Sequence, residues 1–203
     1  MIIRVKKAIV KQIIAAFVFT LIVGCSPASE ITPSSQNPTT STPITDTAQE
    51  LLLNMKKLAE QGKVINADFP VKTSNLEDVK RKWGEPDKTD WVPAAKGSYS
   101  TYSSHGIVIG FNKGLQIFEM RSFDKQLQII TLAKAKEIYG SPAYDVKANG
   151  EEIIGYAAGG EFKIELVFPQ PTSLMQDPVL DHYLVLYPQG TVNSMANDPG
   201  RQW

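Results

Sequence analysis

One ordered set of residues occurs twice in this chain and constrains its fold more than any other feature. Leu76, Val79, Lys80, Trp83, Gly84 and Pro86 are answered 56 residues later by Leu132, Ala135, Lys136, Tyr139, Gly140 and Pro142. With one residue inserted the match continues: Tyr99 answers to Tyr156, and Ile107, Ile109 and Phe111 answer to Ile164, Leu166 and Phe168. A helix-stop glycine followed by proline is common punctuation. The apolar strand matches are therefore what make this an internal repeat.

Local signals say what each copy contains. A first helix is expected from Thr47 to Gln61, with Thr47 and Glu50 at capping-box spacing, Leu51, Leu52, Met55 and Leu58 on one face, and Gly62 as its stop. A second helix opens at Ser74, again with a glutamate three residues on at Glu77, turns Leu76, Val79 and Trp83 inward and ends at Gly84. Beyond Pro86 the period falls to two, with strands near 98–103, 106–111 and 115–123. Asn112-Lys113-Gly114 reads as a short hairpin loop with its glycine in the left-handed region. The fold expected is α+β: two tandem helix–meander units, about 66–123 and 124–188, with helices packed on an antiparallel sheet. The second unit differs at Pro169 to Pro178, a long connection holding three prolines, which reads equally as a binding element or a tolerated insertion.

The first residues address the chain. Arg4, Lys6, Lys7 and Lys11 precede an uncharged apolar run from Ile13 to Val23, which is a signal peptide's layout and about half the length of a membrane span. The run ends in Leu21-Ile22-Val23-Gly24-Cys25, which resembles the bacterial lipobox. That resemblance implies cleavage before Cys25, diacylglyceryl attachment to its thiol, and an extracytoplasmic protein held in the membrane by its lipid. Cys25 is the one cysteine, so the domain expects no disulfide and no catalytic thiol. Residues 25–46 are rich in Ser, Thr and Pro and read as a disordered tether; residues 47–196 suit a single globular domain, and 197–203 a loose tail. Four of the 21 basic side chains lie in the leader, leaving 17 against 21 acidic ones, and a mildly acidic domain is a poor nucleic-acid binder.

Several segments carry a family resemblance: Asn66-Ala67-Asp68-Phe69, Lys82-Trp83-Gly84-Glu85-Pro86-Asp87, Gly110-Phe111-Asn112-Lys113-Gly114, Ile117-Phe118-Glu119-Met120-Arg121-Ser122 and Leu180-Asp181-His182-Tyr183. Together they resemble the YjgB-like family of Gram-positive lipoproteins, a family of unknown function. The order of elements is similar to the β-lactamase-inhibitor-protein-like fold, shared with outer-membrane assembly lipoproteins of the BamE type. The resemblance implies a fold and a location and brings no catalytic residue with it, since a fold does not transmit function.

Residues with chemistry are few. His105 and His182 are the two histidines, neither has a metal-ligand spacing, and no metal or cofactor is expected. His105 reads as an exposed turn residue. Asp181 and His182 open a strand, where neighbours point to opposite faces, so they are not expected to form an orienting pair. A triad of Ser103 or Ser104 with His182 and Asp124 has no Gly-x-Ser-x-Gly motif behind it. Glu119, Arg121 and Phe123 share a strand face, as either a solvated ion pair or a polar anchor for a peptide or glycan. Among aromatics, Trp83 belongs to a helix core face, whereas Trp91, Tyr99 and Tyr102 are candidates for a binding platform, with Trp91 placed in a connecting loop. The leading expectation is a monomeric, non-enzymatic module binding an envelope protein, peptide or glycan through its sheet and the loops around Trp91 and 169–178. The alternatives are an envelope hydrolase or modifying enzyme using His182, and an envelope assembly factor.

Overall fold

The structure, a computed structural model, describes residues 46–93 and 95–191. The leader, Cys25, the tether before Asp46 and the tail beyond Thr191 lie outside the described residues. The elements run α1 (Thr47–Ala59), α2 (Leu76–Trp83), β1 (Lys88–Val92), β2 (Gly97–Tyr102), β3 (Ile107–Phe111), β4 (Ile117–Ser122), α3 (Leu132–Tyr139), β5 (Tyr144–Ala148), β6 (Glu151–Ala158), β7 (Phe162–Pro169) and β8 (His182–Leu186). All eight strands form one antiparallel sheet in the order β1-β2-β3-β4-β8-β7-β6-β5. The protein is α+β.

Each half thus contributes a helix, a glycine stop and four strands, not the three read from the sequence. The missed strands, β1 and β5, are the two edges. Lys88, Asp90, Asp145 and Lys147 interrupt their apolar alternation, and charge on an exposed edge discourages pairing with another chain. The halves join at β4–β8, where Arg121 pairs with Leu184, flanked by Met120 with Val185 and Ser122 with Tyr183.

Helix caps at the starts were misread by one residue, and α1 ends at Ala59, two residues short of the expected Gln61. Asp46, not Thr47, caps α1 by accepting from the Ala48 amide at 3.0 Å. The capping box of α2 is Asn75 with Asp78. Ser74 is otherwise engaged: its amide donates to Pro70 and its carbonyl accepts from Ile117, which ties the helix entry to β4. Gly84 and Gly140 do stop their helices, at φ 85°, ψ −168° and φ 79°, ψ −158°, a region that is essentially glycine's own. In the β3–β4 loop the left-handed residue is Leu115 (φ 62°) and not Gly114. The Asn112 side chain accepts from the amides of both Gly114 and Gln116, which winds the turn one residue further.

The three α-helices among the described residues all lie on one side of the sheet. Leu52 and Met55 from α1, Val79 from α2 and Ala135 from α3 are fully buried against Ile107, Ile109, Met120, Ile164, Leu166, Tyr183 and Val185. Two equivalent contacts lock helix to sheet: the Tyr102 hydroxyl donates to the Gly84 carbonyl, and the Tyr156 hydroxyl to that of Gly140. Tyr102, and not Tyr99, is therefore the counterpart of Tyr156. The extra length sits in the turn that follows, since Tyr102 pairs with Ile107 and Tyr156 with Ile164.

Candidate functional site

The face of the sheet away from the helices carries the polar residues. Strand alternation turns Tyr99, Glu119, Arg121, Lys163, Glu165, His182, Leu184 and Leu186 to this side. Tyr99, Phe118, Leu184, Leu186 and Ala95 form a second, smaller apolar cluster there. Beside it the Glu119 carboxylate, with no exposed surface, accepts from the Tyr99 hydroxyl at 2.9 Å and from Arg121 Nε, whose guanidinium lies over the Tyr99 ring. This settles how the pair is built: it is a buried, hydrogen-bonded ion pair and not a solvated one. Removing one partner of such a pair strands the other charge, at a cost of about 3–5 kcal/mol.

His182 lies one strand away and is 7% exposed. Its ring stacks on Phe123 at 4.5 Å, and Nδ1 is 2.7 Å from Asp181 Oδ2. The expectation that Asp181 and His182 could not pair is overturned. Asp181 precedes the strand, so alternation does not bind it; its amide donates to Val167 and its carboxylate folds back onto the ring. Burial, with a smaller contribution from Arg121, pulls the imidazole below its ordinary pKa, against the opposing pull of Asp181. Ser103 and Phe123 line one shallow depression with Thr101, Gly106, Ile107 and Val108. Among the described residues no hydrogen bond joins Ser103 or Ser104 to His182, and Asp124 is spent capping the 3-10 turn at 125–129. The triad is not assembled.

Other candidates move. Tyr102 is 3% exposed in the helix-side core, and Tyr99 is 6% exposed and bonded to Glu119, so neither offers a platform. His105 is half-buried, not exposed: it stacks on Trp83 at 4.0 Å and meets Tyr102 edge-on, while Phe69 meets Trp83 from another side. Trp91 is exposed, but in edge strand β1 instead of a loop. It pairs with Ser98, hence with the Phe111 end of β3, whereas the 170–181 loop leaves from the Phe123–His182 end. Trp91 and that loop do not make one patch.

The 170–181 connection is braced along its length. Gln170 donates to Gly150, Asp177 accepts from the Ala133 amide at the start of α3, Leu132 donates to Pro178, and Leu180 donates to Ile130. Between these ties Leu174 is 98% exposed, with Met175 beside it. Thr131 and Val179 bridge this loop to the segment after β4, which itself exposes Phe123 and Ile129. Sequence reasoning found the loop but not this apolar group. The signal was there in Leu174-Met175; Phe123 and Ile129 sit apart, one stacked on His182 on the outer face and the other beside α1. Among the described residues no group of three or more His, Cys, Asp or Glu is placed to hold a metal, and no helix is long and apolar enough to cross a membrane.

The pattern of the family described as Domain of unknown function (DUF4309) matches residues 52–186, and the chain belongs to this family. A solved relative is a DUF4309 family protein (YjgB) from Bacillus subtilis subsp. subtilis str. 168. It superposes with a TM-score of 0.55 at 18% identity, over 70% of this chain and 98% of that one. At that identity the likeness shows the fold alone. No functionally curated protein matches the chain.

The motifs behind the resemblance are mostly scaffold. Asn66 joins the His105 carbonyl to the Ser122 hydroxyl, Trp83 stacks on His105, and the Tyr183 hydroxyl accepts from the Ile65 amide at 2.7 Å.

Proposed function

We propose that this protein is a lipid-tethered extracytoplasmic module, without catalytic activity of its own, that docks another envelope protein through the apolar end of its sheet. One observation carries the reading. Seven large apolar side chains are well exposed among the described residues, and three of them (Leu174, Met175 and Val179) stand within six residues of one another on the 170–181 connection. Scattered exposed apolar residues are ordinary, whereas a gathered group marks a contact surface. Bracing at both ends keeps Leu174 and Met175 in place before a partner arrives, which lowers the ordering cost of binding.

The flanking charge favours protein over bilayer. Asp177 and Asp181 adjoin the apolar residues, and an anionic membrane surface repels that set. Lipid attachment at Cys25 supplies location, and the apolar end supplies recognition. The test is co-purification of the tethered chain with its partner. Leu174→Asp with Met175→Asp abolishes capture while thermal unfolding stays put; capture unchanged by that pair of substitutions overturns the reading.

A second reading is favoured by the Asp181–His182 pair, whose geometry would orient an imidazole base. It predicts turnover by the purified protein that His182→Ala abolishes. Among the described residues neither Ser103 nor Ser104 bonds to His182, which ranks it below docking.

A further inference from the structure

Leu174 is the most exposed large apolar side chain among the described residues, and the backbone that carries it is closed on itself. Thr172 and Met175 exchange backbone hydrogen bonds around Ser173 and Leu174, at 2.9 Å from the Thr172 amide and 3.2 Å from the Met175 amide. The Thr172 hydroxyl also accepts from the Met175 amide, at 3.2 Å. Pro171 fixes its own φ just ahead of this turn. Outside it the chain is fastened on one side by Gln170 to the Gly150 carbonyl and on the other by Asp177 to the Ala133 amide, both at 2.8 Å. Leu174 thus stands at the apex of a turn that is tied within itself and tied at both ends.

The surroundings of the apex specify what would receive it. Ser173 and Gln176 are polar and exposed, so the leucine has no apolar neighbour at its own height except Met175, which is 43% exposed. A flat surface pressed against such a side chain covers one side and leaves the others in water. Only a concave wall removes it from water all round, which is where apolar burial is fully realised. From Gln170 to Gln176 no residue is charged. A receiving pocket therefore needs no counter-ion, and a charge in its wall would be stripped of water with nothing to pair with.

We infer that Leu174 is a single-residue knob that inserts into a concave, uncharged apolar pocket about one leucine deep on the partner protein. This deepens the docking reading and rests on it. Thr172 is the positioning residue: it does not enter the pocket, and its hydroxyl holds the turn in the inserting shape before contact. Order set in advance lowers the cost of binding. Met175 and Val179 belong to the rim around the knob.

The probe is the one protein that co-purifies with the full, tethered parent chain, identified by its peptides and followed as the same species in every variant. Leu174→Ala weakens its affinity at least about thirtyfold, as expected of a central anchor. Leu174→Met, of similar volume, stays within about tenfold, and Leu174→Trp, too wide for a leucine pocket, weakens binding at least about fivefold. Thr172→Val, which keeps the shape and removes the acceptor, weakens binding about threefold to tenfold. It also loosens the Ser173 and Leu174 amides in nitrogen-15 relaxation of the free chain, and Thr172→Ser restores both. Affinity holds within about twofold between 0.1 and 0.5 M salt, because no charge takes part. Binding by Leu174→Trp as tight as the parent's, a Thr172→Val chain as ordered and as tight as the parent, or a severalfold loss in salt overturns the inference. In each of those cases the docking reading still stands if Leu174→Asp with Met175→Asp abolishes capture. If that pair changes nothing, or the parent retains lipid and no protein, both fall.

Discussion

The two halves of the sheet follow one plan and diverge at one corner. From α2 to β4 and from α3 to β8 the order is helix, glycine stop and four antiparallel strands, and the same tyrosine-to-glycine hydrogen bond fastens each helix. In the first half, β3 turns into β4 through residues 112–116, wound tightly by Asn112. In the second, residues 170–181 stand between β7 and β8 and carry Leu174 and Met175 into solvent. What the halves share builds the fold, and what they do not share is where the proposed recognition surface is placed. The long connection replaces nothing structural, because Tyr183 and Leu166 pair across β8 and β7 as Met120 and Ile109 do across β4 and β3.

That contrast can be challenged in descending order of effect. Ile109 and Leu166 are fully buried on corresponding strands, so Ile109→Ala and Leu166→Ala each cost about 2–5 kcal/mol. Urea unfolding that gave one a large cost and the other almost none would show that the halves do not support the core alike. Gly84→Ala and Gly140→Ala come next, at about 1–3 kcal/mol each. Open space surrounds both positions, so the cost is conformational; a neutral outcome at either would mean its helix ends differently from its counterpart.

A smaller, pH-dependent effect separates Glu119 from His182, which occupy corresponding places on β4 and β8. With its folded pKa depressed by burial, His182 takes up a proton more readily when the chain is unfolded. Stability is therefore full above its ordinary pKa of about 6.5 and declines as pH falls through and below that value. His182→Phe preserves the stack on Phe123 and removes this share of the pH dependence. Denaturant midpoints measured from pH 7.5 to 5 check it, and an unchanged slope in the variant would remove His182 as the source.

Much of the scaffold was legible in the sequence. The helix stops at Gly84 and Gly140, the strands around Ile107 to Phe111 and Ile164 to Phe168, and the α+β class all follow from punctuation and period. The edge strands β1 and β5 were not legible, because half-solvated edges carry the charges that mask alternation. Cap positions slipped where two candidates share a spacing, as Ser74/Glu77 and Asn75/Asp78 do, and only the pairing of Ser74 with β4 decides between them. At the candidate site, Glu119 and Arg121 were found on the right face, but the depth of their burial depends on distant strands. Asp181 failed the opposite way: the alternation rule was applied one residue before the strand begins.

The most direct test of the docking surface is site-specific photo-cross-linking in living cells, with the reactive residue at position 174 in one variant and at position 91 in another. Substitution at Leu174, which touches solvent on nearly all sides, leaves stability within about 0.5 kcal/mol of the parent. The docking proposal predicts one dominant protein adduct from position 174, lost when Met175→Asp is added, and no such adduct from position 91. Adducts of membrane lipid alone from position 174, or the same protein captured from position 91, would contradict a recognition surface at the long connection.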